Sequence, residues 1–188
     1  MQNIVLFGAP GAGKGTQAEK MVNYFGFVHV STGDLLRKEI AKGTELGEEI
    51  KAQIDKGEFV SDETVAVMIE QFLTKNLEAK GIIFDGYPRT VKQAKKLDEI
   101  LANYQFDIDY MLALEVEEEE LVKRICARAK TSGRVDDADE HIIRHRIEVY
   151  HKKTAPVAAY YTDQNKYRGV EGMGTIDSIF ERIKQVLN

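Results

Sequence analysis

The 188-residue chain has a single cysteine, Cys126, which excludes an internal disulfide framework and any zinc site built from several cysteines. It has three prolines and no proline-rich stretch, so nothing marks a linker between two domains. Its longest apolar runs are of strand size, too short for a membrane-spanning helix. It lacks a basic excess: 26 Lys and Arg stand against 31 Asp and Glu, a net charge of -5, with a pI near 5.5. That balance argues against non-specific nucleic-acid binding, while still allowing a local basic cluster around a small anion. The apolar start, Met1 to Phe7, meets a glycine-rich stretch too soon to be a secretory signal. There is no internal repeat. With 43% hydrophobic and 30% charged residues, the composition is that of one globular domain with a sizeable core. A cytoplasmic enzyme or binding protein fits these bounds.

What the chain does have is an alternation. Short apolar runs bounded by turns read as strands at Ile4–Phe7, Phe27–Val30, Ile82–Phe84, Tyr110–Leu114 and Tyr167–Val170. Helical stripes lie between them. Ala18, Met21, Val22 and Phe25 share one face, and Val65, Met68, Ile69, Phe72 and Leu73 another, capped by Ser61 or Asp62. Further stripes are Ala94, Leu97 and Leu101; Leu121, Val122 and Ile125; Ile142, Ile143 and Ile147; and Ile176, Ile179, Phe180, Ile183 and Leu187. Each reads as core packing. The acidic run Glu117 to Glu120 suits a helix start, where it opposes the positive end of the dipole. Strands alternating with helices predict an α/β fold with a parallel sheet covered on both faces, and ligands at the carboxyl ends of its strands.

The segment after the first strand is Gly8-Ala9-Pro10-Gly11-Ala12-Gly13-Lys14-Gly15-Thr16, with a helical pattern behind it. Glycines let successive backbone N–H groups point into one concavity. The helix start adds partial positive charge, Lys14 a full one, and the Thr16 hydroxyl can approach a phosphate or its metal. This is the Gly-x4-Gly-Lys core of a phosphate loop, except that Gly15 stands where Ser or Thr is usual and the hydroxyl follows one residue later.

The second strand runs into Ser31-Thr32-Gly33-Asp34-Leu35-Leu36-Arg37, where Thr32 or Ser31 can cap a helix. The third runs into Asp85-Gly86-Tyr87-Pro88-Arg89-Thr90, with Gln93 beyond. Both leave the same sheet edge as the phosphate loop. Each brings an arginine suited to bidentate phosphate binding, so Arg37 and Arg89 predict a second phosphate site. Asp85 reads either as a magnesium carboxylate acting through water or as a turn former. Of nine arginines, five lie between Arg124 and Arg146. Arg124 and Arg128 share a helix face. In a net-acidic chain this concentration reads as an anion clamp, as an ion-pair network with Asp136, Asp137, Asp139 and Glu140, or as both.

Together these segments, with Ser132–Asp137, Arg146 ahead of Tyr150-His151, and Thr154-Ala155-Pro156, resemble the adenylate kinases over essentially the whole chain. The resemblance implies a P-loop nucleoside monophosphate kinase fold: a five-stranded parallel sheet flanked by helices, carrying two mobile insertions. Residues 31–60 would form the monophosphate clamp and 127–137 a lid of the short form, which lacks the zinc-binding cysteines of the long form. It also implies roles. Gly11, Ala12, Gly13, Lys14, Gly15 and Thr16 would bind ATP phosphates, with Arg128 at the lid base and Gly174 against adenine. Thr32, Arg37, Glu58, Phe59, Val60, Gly86, Tyr87, Pro88, Arg89 and Gln93 would bind AMP. Arg134 and Arg146 would bridge both phosphate groups, and Arg124 would lie close by. Lys14, Arg89, Arg124, Arg128, Arg134 and Arg146 are thus the expected catalytic set, and Asp85 and Thr16 the magnesium positions.

The implied reaction is MgATP plus AMP giving two ADP, in a monomer that needs neither nucleic acid nor membrane. Pyrimidine monophosphate kinases belong to the same family. Gln93 favours adenine, because its amide both donates to and accepts from the base edge. A nucleotide-dependent switch is the rival from another class. It would want Asn-Lys-x-Asp, and Asn165-Lys166-Tyr167-Arg168 lacks the aspartate.

Overall fold

The computed structural model describes residues 1–55, 60–132, 137 and 139–187, with the backbone alone at 131 and 132. Five strands form one sheet: β1 (Gln2–Phe7), β2 (Val28–Ser31), β3 (Gly81–Asp85), β4 (Tyr110–Glu115) and β5 (Tyr167–Glu171). The order is β2-β3-β1-β4-β5 and every pairing is parallel. All five strands lie where the apolar runs predict them, and the α/β class holds.

The helices among the described residues are α1 (Lys14–Phe25), α2 (Thr32–Ala41), α3 (Glu45–Ile54), α4 (Asp62–Thr74), α5 (Val91–Asn103), α6 (Glu118–Ser132), α7 (Glu140–Val149), α8 (Pro156–Thr162) and α9 (Ile176–Leu187). None is long and apolar enough to cross a membrane. Their ends follow local chemistry. The Ser31, Thr44, Ser61 and Thr90 side chains accept backbone N–H groups in the first turns of α2, α3, α4 and α5. At the other end of α1, Gly26 closes the helix with its N–H on the Val22 carbonyl.

Strand alternation divides the core in two. Val5, Phe7, Ile82, Phe84, Met111 and Ala113 face one layer, with Leu36, Ile50, Ile69, Leu97 and Val157 from α2 to α5 and α8. Ile4, Leu6, Ile83, Leu112 and Leu114 face the other, with Met21, Leu121, Ile125, Ile147 and Ile183 from α1, α6, α7 and α9. A sheet buried on both faces reads as continuous apolar runs, which is why its strands were legible. The α9 stripe needs one correction: Ile179, Phe180 and Ile183 are buried, but Ile176 is 52% exposed. As the first residue of its helix, it reaches the mouth of the ligand cavity rather than the core.

Between α7 and α8 the helix widens into a π turn over Tyr150–Thr154, with the Ala155 N–H donating to the Tyr150 carbonyl at 2.8 Å. Pro156 has no N–H and its ring crowds the preceding turn, so the ladder shifts by one residue ahead of it. The shifted turn places Tyr150 and Thr154 on the cavity wall.

Where β3 begins, Gly81 has no room for a side chain: a Cβ would lie 2.5 Å from the Gln2 carbonyl and 2.6 Å from the Phe27 ring. Gly81→Ala is therefore expected to destabilise the protein by about 1–3 kcal/mol, the range for overpacking a core. A lower urea midpoint at unchanged m-value would register it.

Candidate functional site

In a parallel sheet of this order, the chain turns to one face after β3 and to the other after β1, so their loops open a crevice at the carboxyl edge. A cavity of about 930 Å³ occupies it. The phosphate loop forms its floor. Gly11 is required by packing, since a Cβ there would lie 2.8 Å from the Leu121 carbonyl. Gly13 is required by conformation, with φ of 93°. A Cβ at Gly13 or Gly15 would meet no protein atom within 4 Å, so both border open space. With glycine at the N-cap and no acid in its first turn, α1 presents uncapped N–H groups to that space.

Lys14, the first residue of α1, donates from Nζ to the Gly8 and Ala9 carbonyls at 2.8 and 3.1 Å. Its pKa is lowered to about 8, chiefly by burial; the Asp85 charge opposes this, and Arg89, Arg146 and Arg128 add to it. Asp85 ends β3, is buried, and places Oδ2 3.4 Å from His29 Nε2.

The second predicted set lines the same cavity: Thr32, Arg37, Val60, Gly86, Tyr87, Pro88, Arg89 and Gln93. Ser31 rather than Thr32 caps α2, which leaves Thr32 buried beside Gly86. Arg37 donates to Asp34 Oδ1 at 2.6 Å. Arg89 folds back so that Nε donates to the Gly86 carbonyl at 2.7 Å. The Tyr87 side chain belongs to the core, and burial pushes its phenol up. Its peptide bond to Pro88 is cis, and the turn around it lines the cavity. Gln93 is 3% exposed and its side chain makes two hydrogen bonds: Oε1 accepts the Arg89 N–H at 2.6 Å, and Nε2 donates to Asp62 Oδ1 at 2.7 Å.

In the arginine-rich stretch the described residues form an ion-pair network, and three of its arginines, Arg124, Arg128 and Arg146, also border the cavity. Asp137, its side chain fully buried, takes a bidentate pair from Arg128 at 2.7 and 2.9 Å and a third bond from Arg146 at 3.0 Å. Burial pushes the Asp137 carboxyl up, but the Arg128 hydrogen bonds and the charges of both arginines outweigh it and hold the carboxyl below its ordinary range. Arg124 is held by Glu120 at 2.8 Å and the Gly172 carbonyl at 3.1 Å. Arg144, by contrast, pairs with Glu140 on the exposed face of α7. Among the described residues, Lys14, Arg37, Arg89, Arg124, Arg128 and Arg146 all border the cavity. The remaining predicted positions there are Ala12, Thr16, Asp85 and Gly174. Glu58, Phe59 and Arg134 lie outside the described residues.

Sequence reasoning missed several contributors. Gln17 is 2% exposed and donates from Nε2 to the Ile176 carbonyl at 3.0 Å, tying α1 to the turn that carries Gly174. Arg182 holds the same turn through the Glu171 and Met173 carbonyls. Asp62 was read only as a possible cap, yet it touches Gln93. No local signal reveals such contacts, because their partners are distant in sequence. Magnesium prefers hard oxygen donors and keeps much of its water. The Asp85 carboxylate and Thr16 hydroxyl, both on the cavity wall, fit that requirement.

Comparison with known proteins agrees with this geometry. Residues 6–166 match the family model described as adenylate kinase. The chain is 50% identical over its whole length to a protein named adenylate kinase from Parabacteroides distasonis, covering 98% of that relative. It is 48% identical to one from Flavobacterium psychrophilum and 46% identical to one from Bacteroides thetaiotaomicron, each over the whole chain and 99% of the relative.

The lowered pKa of Lys14 has a consequence for binding. In the folded, empty protein this lysine is less readily charged than in water, so between pH 8 and 10.5 the unfolded state holds more protons here. From this group alone, stability of the empty protein rises with pH across that window. An arriving polyphosphate favours the charged lysine and raises its pKa again. Calorimetry at pH 9 in buffers of different ionisation enthalpy should show net proton uptake on ATP binding, and Lys14→Met should remove it.

Proposed function

The chain belongs to the adenylate kinase family, and on that premise we propose that it transfers the terminal phosphoryl group of ATP to AMP, giving two ADP. The observation that carries this reading is that two sets of anion-binding groups, one around the phosphate loop and one around Arg37 and Arg89, share one continuous cavity. A slow-hydrolysing switch would have no use for the second set, and Gln93 in place of asparagine favours adenine over a pyrimidine.

The acceptor is an AMP phosphate oxygen, already anionic near neutral pH. It attacks the γ-phosphorus, the bond from that phosphorus to the β–γ bridging oxygen breaks, and ADP leaves with that electron pair. No proton has to be removed, so no histidine is needed as a base. Catalysis rests on alignment and charge neutralisation. Gly11 to Thr16 receive the ATP phosphates, with Lys14 at the transferring group. Arg37 and Arg89 hold the AMP phosphate. Arg124, Arg128, Arg146 and, by resemblance, Arg134 spread the developing charge. Asp85 and Thr16 would hold magnesium, which would supply two further positive charges to the ATP phosphates. Residues 31–60 and 127–137 are the insertions that would close over the nucleotides and keep water from acting as the acceptor. Val60 lines the cavity, and by resemblance Glu58, Phe59 and Val60 would serve the AMP side. A cytoplasmic monomer fits this reading.

Purified protein offered ATP with a panel of nucleoside monophosphates tests the assignment; AMP should be the preferred acceptor. Lys14→Met should lower kcat by about 10²-fold or more, as for a group acting on transition-state charge, with the fold retained. Asp85→Asn should lower the rate and shift its magnesium dependence to higher concentration. An unchanged magnesium profile would leave Asp85 a structural partner of His29.

A further inference from the structure

If Gln93 reads the base, it can do so only in one orientation of its amide. A glutamine amide offers two lone pairs on Oε1 and two hydrogens on Nε2. One lone pair accepts the Arg89 N–H at 2.6 Å, and one hydrogen goes to Asp62 Oδ1 at 2.7 Å. Turning the amide over would set Nε2 against the Arg89 N–H and Oε1 against the carboxylate, donor facing donor and acceptor facing acceptor. A backbone N–H and an ionised carboxylate cannot exchange roles. The two partners therefore fix which atom lies on which side, and leave one acceptor and one donor site for a ligand.

That remaining pair has a sense. A 6-aminopurine presents an acceptor ring nitrogen beside a donor amine. A 6-oxopurine presents a donor ring N–H beside an acceptor carbonyl, the reverse order on a ring of the same shape. With the phosphate and ribose anchored elsewhere, a fixed amide can match only one of the two, and the AMP reading makes that the first.

We propose that Asp62 is a specificity-determining positioning residue: its carboxylate locks the Gln93 amide so that the monophosphate site selects 6-amino over 6-oxo purine nucleotides. The proposal rests on the reading of Gln93 given above. The fold supports such a role. Asp62 is the first residue of α4, directly after the Ser61 cap, so its backbone is set by a helix start. Lys92 Nζ lies 3.2 Å from Oδ2, which leaves Oδ1 directed at Gln93. Gln93 is itself held by the Thr90 cap of α5, its N–H on Thr90 Oγ1 at 3.1 Å. The lock thus joins residues 31 apart in the chain, each in the first turn of its helix.

The test compares kcat/KM for AMP and IMP, which differ only at the edge in question. In Asp62→Asn the side chain can donate as well as accept, so a turned Gln93 gains a partner at this position. The AMP/IMP ratio should fall about tenfold, the size of one mispaired buried hydrogen bond. The KM for ATP and the melting temperature should change little. Asp62→Glu, still only an acceptor, should keep most of the ratio; Asp62→Ser repeats the test should the asparagine variant fold poorly. A merely structural tether between α4 and α5 would lower stability without moving the ratio. If the ratio in Asp62→Asn stays unchanged while Gln93→Ala collapses it, the lock is wrong and the reading of Gln93 stands. If Gln93→Ala also leaves the ratio unchanged, Gln93 does not read the base and both fall together.

Discussion

Among the described residues, six cationic side chains border one cavity in a protein of net charge -5, and they must be held there before any phosphate arrives. Two like charges 4 Å apart repel by about 4 kcal/mol at the effective dielectric of a protein surface, so such a cluster does not assemble unaided. The answer is a set of acceptors placed behind the cations. Asp137 sits between Arg128 and Arg146, Glu120 and the Gly172 carbonyl take Arg124, and the Gly86 carbonyl takes Arg89. The carbonyls of the phosphate loop itself take Lys14. Asp137 matters most because it is buried and shared. Arg128 and Arg146 remain partly exposed, so solvent screens the pair and its value lies in position more than in stability.

Because each cation is already oriented, a phosphate meets preorganised charge and little has to rearrange at the moment of transfer. The cost appears at Lys14, whose burial among other cations makes its own charge less favourable until an anion arrives. The site is in this sense incomplete without its substrate, and the free energy of polyphosphate binding includes relief of that repulsion.

The sheet decides where this happens. With β1 between β3 and β4, the loops after β1 and β3 leave side by side, so the phosphate loop, Asp85 and Arg89 become neighbours. Helices α2 and α5 enter from the flank with Arg37 and Gln93. The π turn at Tyr150–Thr154 and the turn near Gly174 close the other side. Two apolar layers support the sheet beneath a rim of turns, helix starts and the inner faces of α6 and α7. A packed floor with a polar rim suits a reaction that depends on alignment.

The sequence by itself determined the strands, because buried parallel strands are apolar runs, and the phosphate loop, because its glycines, Lys14 and Thr16 are contiguous. It determined most helix faces and narrowed the caps to Ser31 or Thr32 and Ser61 or Asp62, since caps act over three residues. From placement after strands and from clustering it also indicated that Arg37, Arg89, Arg128 and Arg146 gather at one site, and all four border the cavity. Tertiary structure alone decided which cation pairs with which carboxylate: Asp137 could have served any nearby arginine, and only packing of α6 against α7 selects Arg128 and Arg146. It likewise decided that Ile176 borders the cavity, that Tyr87 is a core side chain, that Gln17 braces the Gly174 turn, and that Asp62 meets Gln93. Those contacts join residues far apart along the chain. Local propensity and periodicity carry no information about them, because which side chains meet is fixed by how helices dock on the sheet.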